Sequence, residues 1–382
     1  MQAADRLAHI KEYYFSTKLK AIAQRVANGE NIINLGIGSP DLPPPDEVIS
    51  ELQKTVSAID IHSYQSYRGL AELRRAIQAF YQNHYQVKLN ADTEILPLIG
   101  SKEGIMHISM AFVNHGDKVL VPNPGYMTYT SATKLAGGLP IYYNLQAENR
   151  WLPDLKSIEK QDLSKVKLMW LNYPNMPTGA SISMEEYQEI ITFAKKHNIL
   201  VVNDNPYSFI LGKQTLSILQ SEESMAVAME LNSLSKSHHM AGWRVGMLLG
   251  SQKHIDQVMK FKSNMDSGMF YGIQKAAVKA LEIDQDWYKK LNKIYSSRKE
   301  IVLTIAKKLG LEAEADQQGM FVWCKLPKGQ KSASFTDALL DKHHIFIAPG
   351  FIFGSNGDDY VRISLTQNCN TLKEALQRIE NQ

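Results

Sequence analysis

Short apolar runs alternate with stretches of helical period over most of this chain, and that rhythm sets the elements to expect. Leu70, Leu73, Ala76, Ile77, Phe80 and Tyr81 fall on one helical stripe. Lys118-Val-Leu-Val-Pro122, Lys167-Leu-Met-Trp-Leu171 and Ile199-Leu-Val-Val-Asn203 read as short buried strands, and Val227-Ala-Met-Glu-Leu231 and Val245-Gly-Met-Leu-Leu249 as two more. A helical segment over about 184–197 separates the second strand from the third. Strand, helix, strand in that order predicts an α/β body with a mostly parallel central sheet flanked by helices. Near residue 285 the pattern changes. A long charged helix (about 285–309) leads to Gly319-Met-Phe-Val-Trp-Cys324, a further helix, Ile345-Phe-Ile347 and Tyr360-Val-Arg-Ile-Ser364. This predicts a smaller α+β unit. Leu42-Pro-Pro-Pro45 marks a chain crossing, because proline holds its predecessors extended. The expected division is therefore a large domain over 46–284 and a small one built from 1–45 and 285–382.

Composition changes this picture little. A chain of 382 residues, 44% hydrophobic and 21% charged, is long enough for such a two-part globular body. The net charge of +3 is spread without blocks, so no basic face points to nucleic acid. Cys324 and Cys369 show neither CxxC nor metal-ligand spacing, which predicts free thiols, a reducing compartment and no metal. The sequence Met1-Gln-Ala-Ala-Asp-Arg carries no signal-peptide pattern, and no apolar run is long enough to cross a bilayer, so a cytoplasmic location is expected.

The candidate chemistry gathers at predicted strand ends. Ser233-Leu-Ser-Lys-Ser237 follows the fourth strand and precedes Arg244. A lysine that can lose its proton condenses with a carbonyl cofactor, and hydroxyls and an arginine beside it suit a phosphate. Taken alone, the segment reads as a solvated turn. Asp204 in Asp204-Asn-Pro-Tyr207 follows the third strand, where it could pair with a pyridine nitrogen or simply cap a turn. Asn172-Tyr-Pro-Asn-Met-Pro-Thr-Gly179 is a rigid turn that offers the Asn175 amide. Ile99-Gly-Ser-Lys-Glu-Gly-Ile105 opens a helix whose free N–H groups suit an anion. In Pro122-Asn-Pro-Gly-Tyr126, Tyr126 could stack on a flat ring or lie in the core.

The order of these segments resembles the class I and II aminotransferases of pyridoxal phosphate (PLP) fold type I, over nearly the whole chain. Leu35-Gly-Ile-Gly-Ser-Pro-Asp41, a Tyr-x4-Gly-x3-Leu-Arg stretch from Tyr64 to Arg74, and a late Arg-Ile-Ser complete the series. The resemblance implies that Lys236 is the Schiff-base lysine and general base, and that Asp204 pairs with the pyridine nitrogen. It further implies that Tyr207 and Asn175 bond the phenolic oxygen, and that Tyr126 stacks on the ring. Ser101, Lys102, Ser233, Ser235 and Arg244 would cradle the phosphate. Tyr64 would reach the phosphate across a homodimer interface. Arg362 would clamp the substrate α-carboxylate, with Gly38 and Asn175 beside it. Met176 departs from the family's usual second asparagine, and Pro206 from its usual alanine; both put substrate preference in doubt.

The implied activity is ping-pong transfer of an amino group from an L-amino acid to a 2-oxo acid. Lys102 stands where some relatives read a distal carboxylate, and the segment Ile99 to Ile105 also resembles diaminopimelate and aspartate-type aminotransferases; an outward lysine fits the same position. Tyr13, Tyr14 and Phe15 could line the pocket for methionine or aromatic donors, or serve as packing. A PLP-dependent carbon–sulfur β-lyase is the alternative, sharing the same lysine and carboxylate clamp. A ligand-sensing regulator would need a DNA-binding domain, for which about forty preceding residues are too few. A dinucleotide-binding dehydrogenase is disfavoured because Asp41 stands where the third glycine of its fingerprint belongs.

Overall fold

A computed structural model describes residues 3–8, 10, 12 and 14–381. Tyr13 lies outside the described residues. In chain order the strands are β1 (Ile33–Asn34), β2 (Ile95–Leu98), β3 (Lys118–Asn123), β4 (Leu139–Asn144), β5 (Val166–Leu171) and β6 (Leu200–Asp204). They continue as β7 (Ala228–Ser233), β8 (Gly246–Gly250), β9 (Phe321–Lys325), β10 (Ile345–Phe346), β11 (Ala348–Pro349) and β12 (Tyr360–Ser364).

Seven strands form the central sheet in the order β2-β8-β7-β6-β5-β3-β4, with β8 running against the others. The expected alternation produces it. Side chains of successive strand residues leave opposite faces, so a run that is apolar throughout must be covered on both sides. In β5, Leu168 and Trp170 join one buried cluster while Met169 and Leu171 join the other. In β6, Leu200 and Val202 lie on the side of Leu168 and Trp170, and Val201 on the side of Met169 and Leu171. Helices cover both faces. Leu73, Ile77, Phe80 and Tyr81 of the helix Ala71–Tyr85 fill one side, and Ile105 and Ile108 of the helix Ser101–Phe112 the other.

The helix between β5 and β6 spans Met184–His197, as its periodicity predicts, and Ser183 and Glu186 close it with a capping box. Two strands of the central sheet were not anticipated. Both contain proline, and both sit at the sheet's edges, where a missing N–H is tolerated: β2 carries Pro97 and β4 carries Pro140.

A second cluster of buried side chains draws on both ends of the chain, from Ile33 and Leu35 to Leu372 and Ala375. Here β11, β12 and β9 pair antiparallel, and β1 pairs in parallel with β10. The helix Gln285–Lys308 is begun by Asp284, whose carboxylate accepts from the N–H groups of Asp286 and Trp287. Among the described residues, no helix is long and apolar enough to cross a membrane.

Candidate active site

The register of the central sheet brings the candidate segments together. Leu98 of β2 pairs with Gly246 of β8, and Gly246 pairs on its other side with Ser233 of β7. The turn Gly100-Ser101, the segment Ser233 to Lys236, and Arg244 therefore meet at one end of three neighbouring strands. Leu231 of β7 pairs with Asp204, the last residue of β6. Carboxyl ends of parallel strands are where open α/β sheets bind ligands.

A cavity of about 410 Å³ opens there. Gly38, Ser101, Lys102, Tyr126, Asp204, Tyr207, Ser233, Ser235, Lys236, Arg244 and Arg362 all line it. Two sequence-predicted residues do not. Tyr64 is 91% exposed and away from the cavity of its own chain. Asn175 is buried within its turn: its carbonyl oxygen accepts from the Thr178 hydroxyl at 2.8 Å and N–H at 3.3 Å, and its amide donates to the Asn172 carbonyl at 3.1 Å. The proline-rich turn thus holds the Asn175 oxygen and one of its two amide N–H groups, and Met176 of the same turn lines the cavity.

One end of the cavity suits an anion. The helix Ser101–Phe112 begins after Gly100, which offers no side-chain cap, so its first-turn N–H groups point outward unclaimed by a cap. Gly100 has φ +83°, and a Cβ there would stand 2.1 Å from the Arg244 guanidinium. Only glycine lets Arg244 lie over this turn. Gly246 is similarly confined, because its Cβ would meet the Ser101 nitrogen at 2.7 Å. Arg244 is held by a bond from Nη1 to the Ala241 carbonyl at 2.8 Å.

The middle of the cavity carries Asp204. One carboxylate oxygen accepts from the Tyr129 hydroxyl at 3.0 Å; the other, Oδ1, is buried without a hydrogen-bond partner among the described residues. Burial pushes the Asp204 carboxyl up to about 7; the Tyr129 bond opposes that, the buried Glu230 on β7 adds to it, and Lys236 opposes it. An orphaned acceptor in such a place matches a ring N–H, and the anion cradle matches a phosphate, so the residues fit pyridoxal phosphate. Lys236 donates from Nζ to the Gly38 carbonyl at 2.7 Å. Burial, together with Arg362 and Arg244, pulls its ammonium down to about 8, against the pull of Asp204. A lysine so placed sheds its proton far more readily than an ordinary lysine, whose value is 10.5.

The far end is built by the second cluster. Arg362, on β12, donates from Nη2 to the Gly36 carbonyl at 2.8 Å and approaches the Met176 sulfur at 3.3 Å. Its guanidinium lies 3.8 Å from the Phe321 ring centre, 4.7 Å from Phe353 and 5.8 Å from Phe15. Gly38 is required here, since a Cβ would stand 2.3 Å from the Phe321 ring. Of the N-terminal aromatics, Phe15 lines the cavity, with Leu19 one turn on, whereas Tyr14 packs edge-on against Phe351 at 5.4 Å.

Sequence reasoning missed Tyr129, Phe321, Phe353 and the inward face of Met176. Tyr129 lies one helical turn after Tyr126, stacked on Trp170 with ring centres 5.0 Å apart. That spacing was a usable signal for Tyr129; nothing local marks the two phenylalanines.

Residues 30–379 match the family model described as aminotransferase class I and II. A protein of Dehalococcoides mccartyi named LL-diaminopimelate aminotransferase is 40% identical over 100% of this chain and 99% of its own length. One of that name from Aquifex aeolicus is 39% identical over 99% and 98%. Among solved structures, substrate-bound BacF of Bacillus subtilis superposes with a TM-score of 0.96 at 35% identity, covering 100% of this chain and 98% of BacF. With fold, cavity and relatives in agreement over essentially the full length, the chain belongs to the class I and II aminotransferases, pyridoxal phosphate-dependent enzymes that pass the amino group of an L-amino acid to a 2-oxo acid.

Proposed function

We propose that Lys236, Asp204 and Arg362 divide the transamination between them, and that their convergence on one cavity is the observation that carries this reading. Bound pyridoxal phosphate supplies an electron sink for the bonding pair released at the substrate α-carbon. Asp204 keeps the ring nitrogen protonated through Oδ1, the oxygen without a hydrogen-bond partner among the described residues. Ser101, Lys102, Ser233, Ser235 and Arg244 hold the phosphate, Tyr126 covers one ring face, and Tyr207 serves the phenolic oxygen. Asn175 would serve the same oxygen with its second amide N–H, since the turn holds one of the two. Arg362 and the Gly38 segment fix the substrate carboxylate, and Lys236 Nζ, once released from the Gly38 carbonyl, takes the α-proton and returns it on the cofactor side.

The relatives' name makes LL-diaminopimelate the first donor to test, and Lys102, which lines the cavity, is the cation that could meet its distal carboxylate in place of the phosphate. A second reading, a donor with an apolar side chain, is favoured by the walls Phe15, Leu19, Ile37, Phe321, Phe353 and Met176. Exposure of Tyr64, Ile59, Tyr67, Met265 and Phe270 on segments around 57–69 and 263–271 supports a homodimer in which Tyr64 serves the neighbouring phosphate. We read the division of the chain as 46–284 with the central sheet, and 1–45 plus 285–382 around the second cluster, in a protein of the cytoplasm. The test is a panel of donors (LL-diaminopimelate, glutamate, aspartate, methionine, phenylalanine) with 2-oxoglutarate or pyruvate as acceptor, together with cystathionine for lyase activity. Amino transfer from at least one donor, with parallel lines in double-reciprocal plots, is expected. Pyruvate and ammonia from cystathionine without amino transfer would contradict it.

A further inference from the structure

Behind the anion-binding turn lies a buried group of charges that the chemistry above does not use. Glu103, in the first turn of the helix Ser101–Phe112, accepts the Ile99 N–H with Oε2 at 2.5 Å and meets His107 Nε2 with Oε1 at 2.8 Å. The same Oε1 is 3.6 Å from Nζ of Lys262, and Lys262 also pairs closely with Asp266. Lys262 is only 1% exposed, so its ammonium depends wholly on these carboxylates for the solvation it has lost. Ligand atoms of Glu103, His107 and Asp266 lie within 4.8 Å of one another, but the lysine ammonium already provides the positive charge a metal would bring. Asp266 carries the connection further. Its Oδ1 accepts the Gly268 N–H at 3.2 Å, and Gly268 lies so close to the carbonyls of Gln65 and Ser66 that a Cβ would stand 2.8 and 2.6 Å away.

Two features set this group apart from an ordinary ion pair. A glutamate at the third helical position usually reaches back to the N–H of the capping residue. Glu103 reaches one residue further, to Ile99, and so braces the turn without taking a donor from the helix start. Its charge also stands in the first turn of a helix that receives a phosphate, where an uncompensated carboxylate repels the ligand. Burial raises the Glu103 carboxyl, yet bonding with His107 and Asp266 and the charge of Lys262 hold it below its usual range, as an anion. The anion is wanted as an acceptor and unwanted as a charge.

We propose that Glu103 and Lys262 are positioning residues for the cofactor phosphate: Glu103 braces the turn Ile99–Ser101, and Lys262 cancels the Glu103 charge that would oppose the phosphate. This rests on the reading that the turn and Arg244 hold that phosphate. The test measures release of pyridoxal phosphate from the full-length holoenzyme after dilution, by loss of visible absorbance, with inorganic phosphate as competitor during reloading. Lys262→Met is expected to release cofactor faster by about ten- to a hundredfold, the scale on which groups behind a ligand shell act. Glu103→Gln, which keeps the acceptor and removes the charge, is expected to hold cofactor at least as long as the parent. The double variant Glu103→Gln/Lys262→Met is expected to release it at least about fivefold more slowly than Lys262→Met alone, because the carboxylate in the first turn of the helix is gone and only that of Asp266, outside the helix, is left without its lysine. Packing loss alone would lower the thermal midpoint in single and double variants alike and leave their release rates equal; that equality, parent-like release from Lys262→Met, or faster release from Glu103→Gln would overturn the proposal. Arg244→Gln is the control for the underlying reading. If it retains cofactor like the parent, the phosphate assignment itself fails, whatever Lys262 does.

Discussion

The two ends of the cavity are built in opposite ways. At the cofactor end, polar groups arrive from strand ends of one sheet, and the backbone fixes them: Asp204 closes β6, Ser233 closes β7, and Arg244 enters β8. At the substrate end, a single cation is set among rings contributed by the second cluster, Arg362 against Phe321 and Phe353. The first is an arrangement of charges on a rigid frame. The second is an apolar pocket with one charge. Such a division lets the catalytic apparatus stay constant while the walls that judge the side chain vary.

If the division holds, changes at the two ends have separable effects. Asp204→Asn is expected to be the most severe, lowering kcat by about a thousandfold, the scale of losing preorganised charge stabilisation, with substrate KM little moved. Steady-state kinetics with the absorption spectrum of the bound cofactor checks this. Arg362→Lys strikes the other end. Loss of two-pronged recognition is expected to lower kcat/KM by about a hundredfold, mainly through KM, while cofactor release stays at the parent rate.

A pH effect follows from the same carboxyl. Its folded value of about 7 lies above the ordinary 3.8, so between those values the folded cofactor-free protein binds more protons than the unfolded chain. The stability that Asp204 contributes is present at low pH and is lost as pH rises through about 7. The thermal midpoint of the cofactor-free protein is therefore expected to fall less over that window in Asp204→Asn than in the parent. Tyr129→Phe should be mildest: it removes one hydrogen bond to Asp204, worth about 1 kcal/mol, and is expected to cost about fivefold in kcat. A larger effect on KM than on kcat from Tyr129→Phe would blur the comparison.

The same contrast explains what could be read from the chain in advance. The frame was legible because apolar runs, helical stripes and the chemistry at strand ends are local signals, as at Ile199–Asn203 followed by Asp204. Edge strands β2 and β4 were not, since Pro97 and Pro140 break the local pattern and only sheet position makes them tolerable. For Asn175 the residue type suggested a ligand contact, but no local pattern foretold that the turn around it holds its oxygen and one of its two amide N–H groups. Phe321 and Phe353 look like ordinary core residues. They reach Arg362 only through tertiary packing, about which spacing along the chain says nothing.

The most direct test of the account is the location of the covalent link between pyridoxal phosphate and the protein. Borohydride reduction of the holoenzyme, proteolysis and peptide mass mapping should place the reduced cofactor on Nζ of Lys236, at the cavity between Asp204 and Arg362. An adduct on another lysine, such as Lys102, or a colourless protein with none, would contradict it.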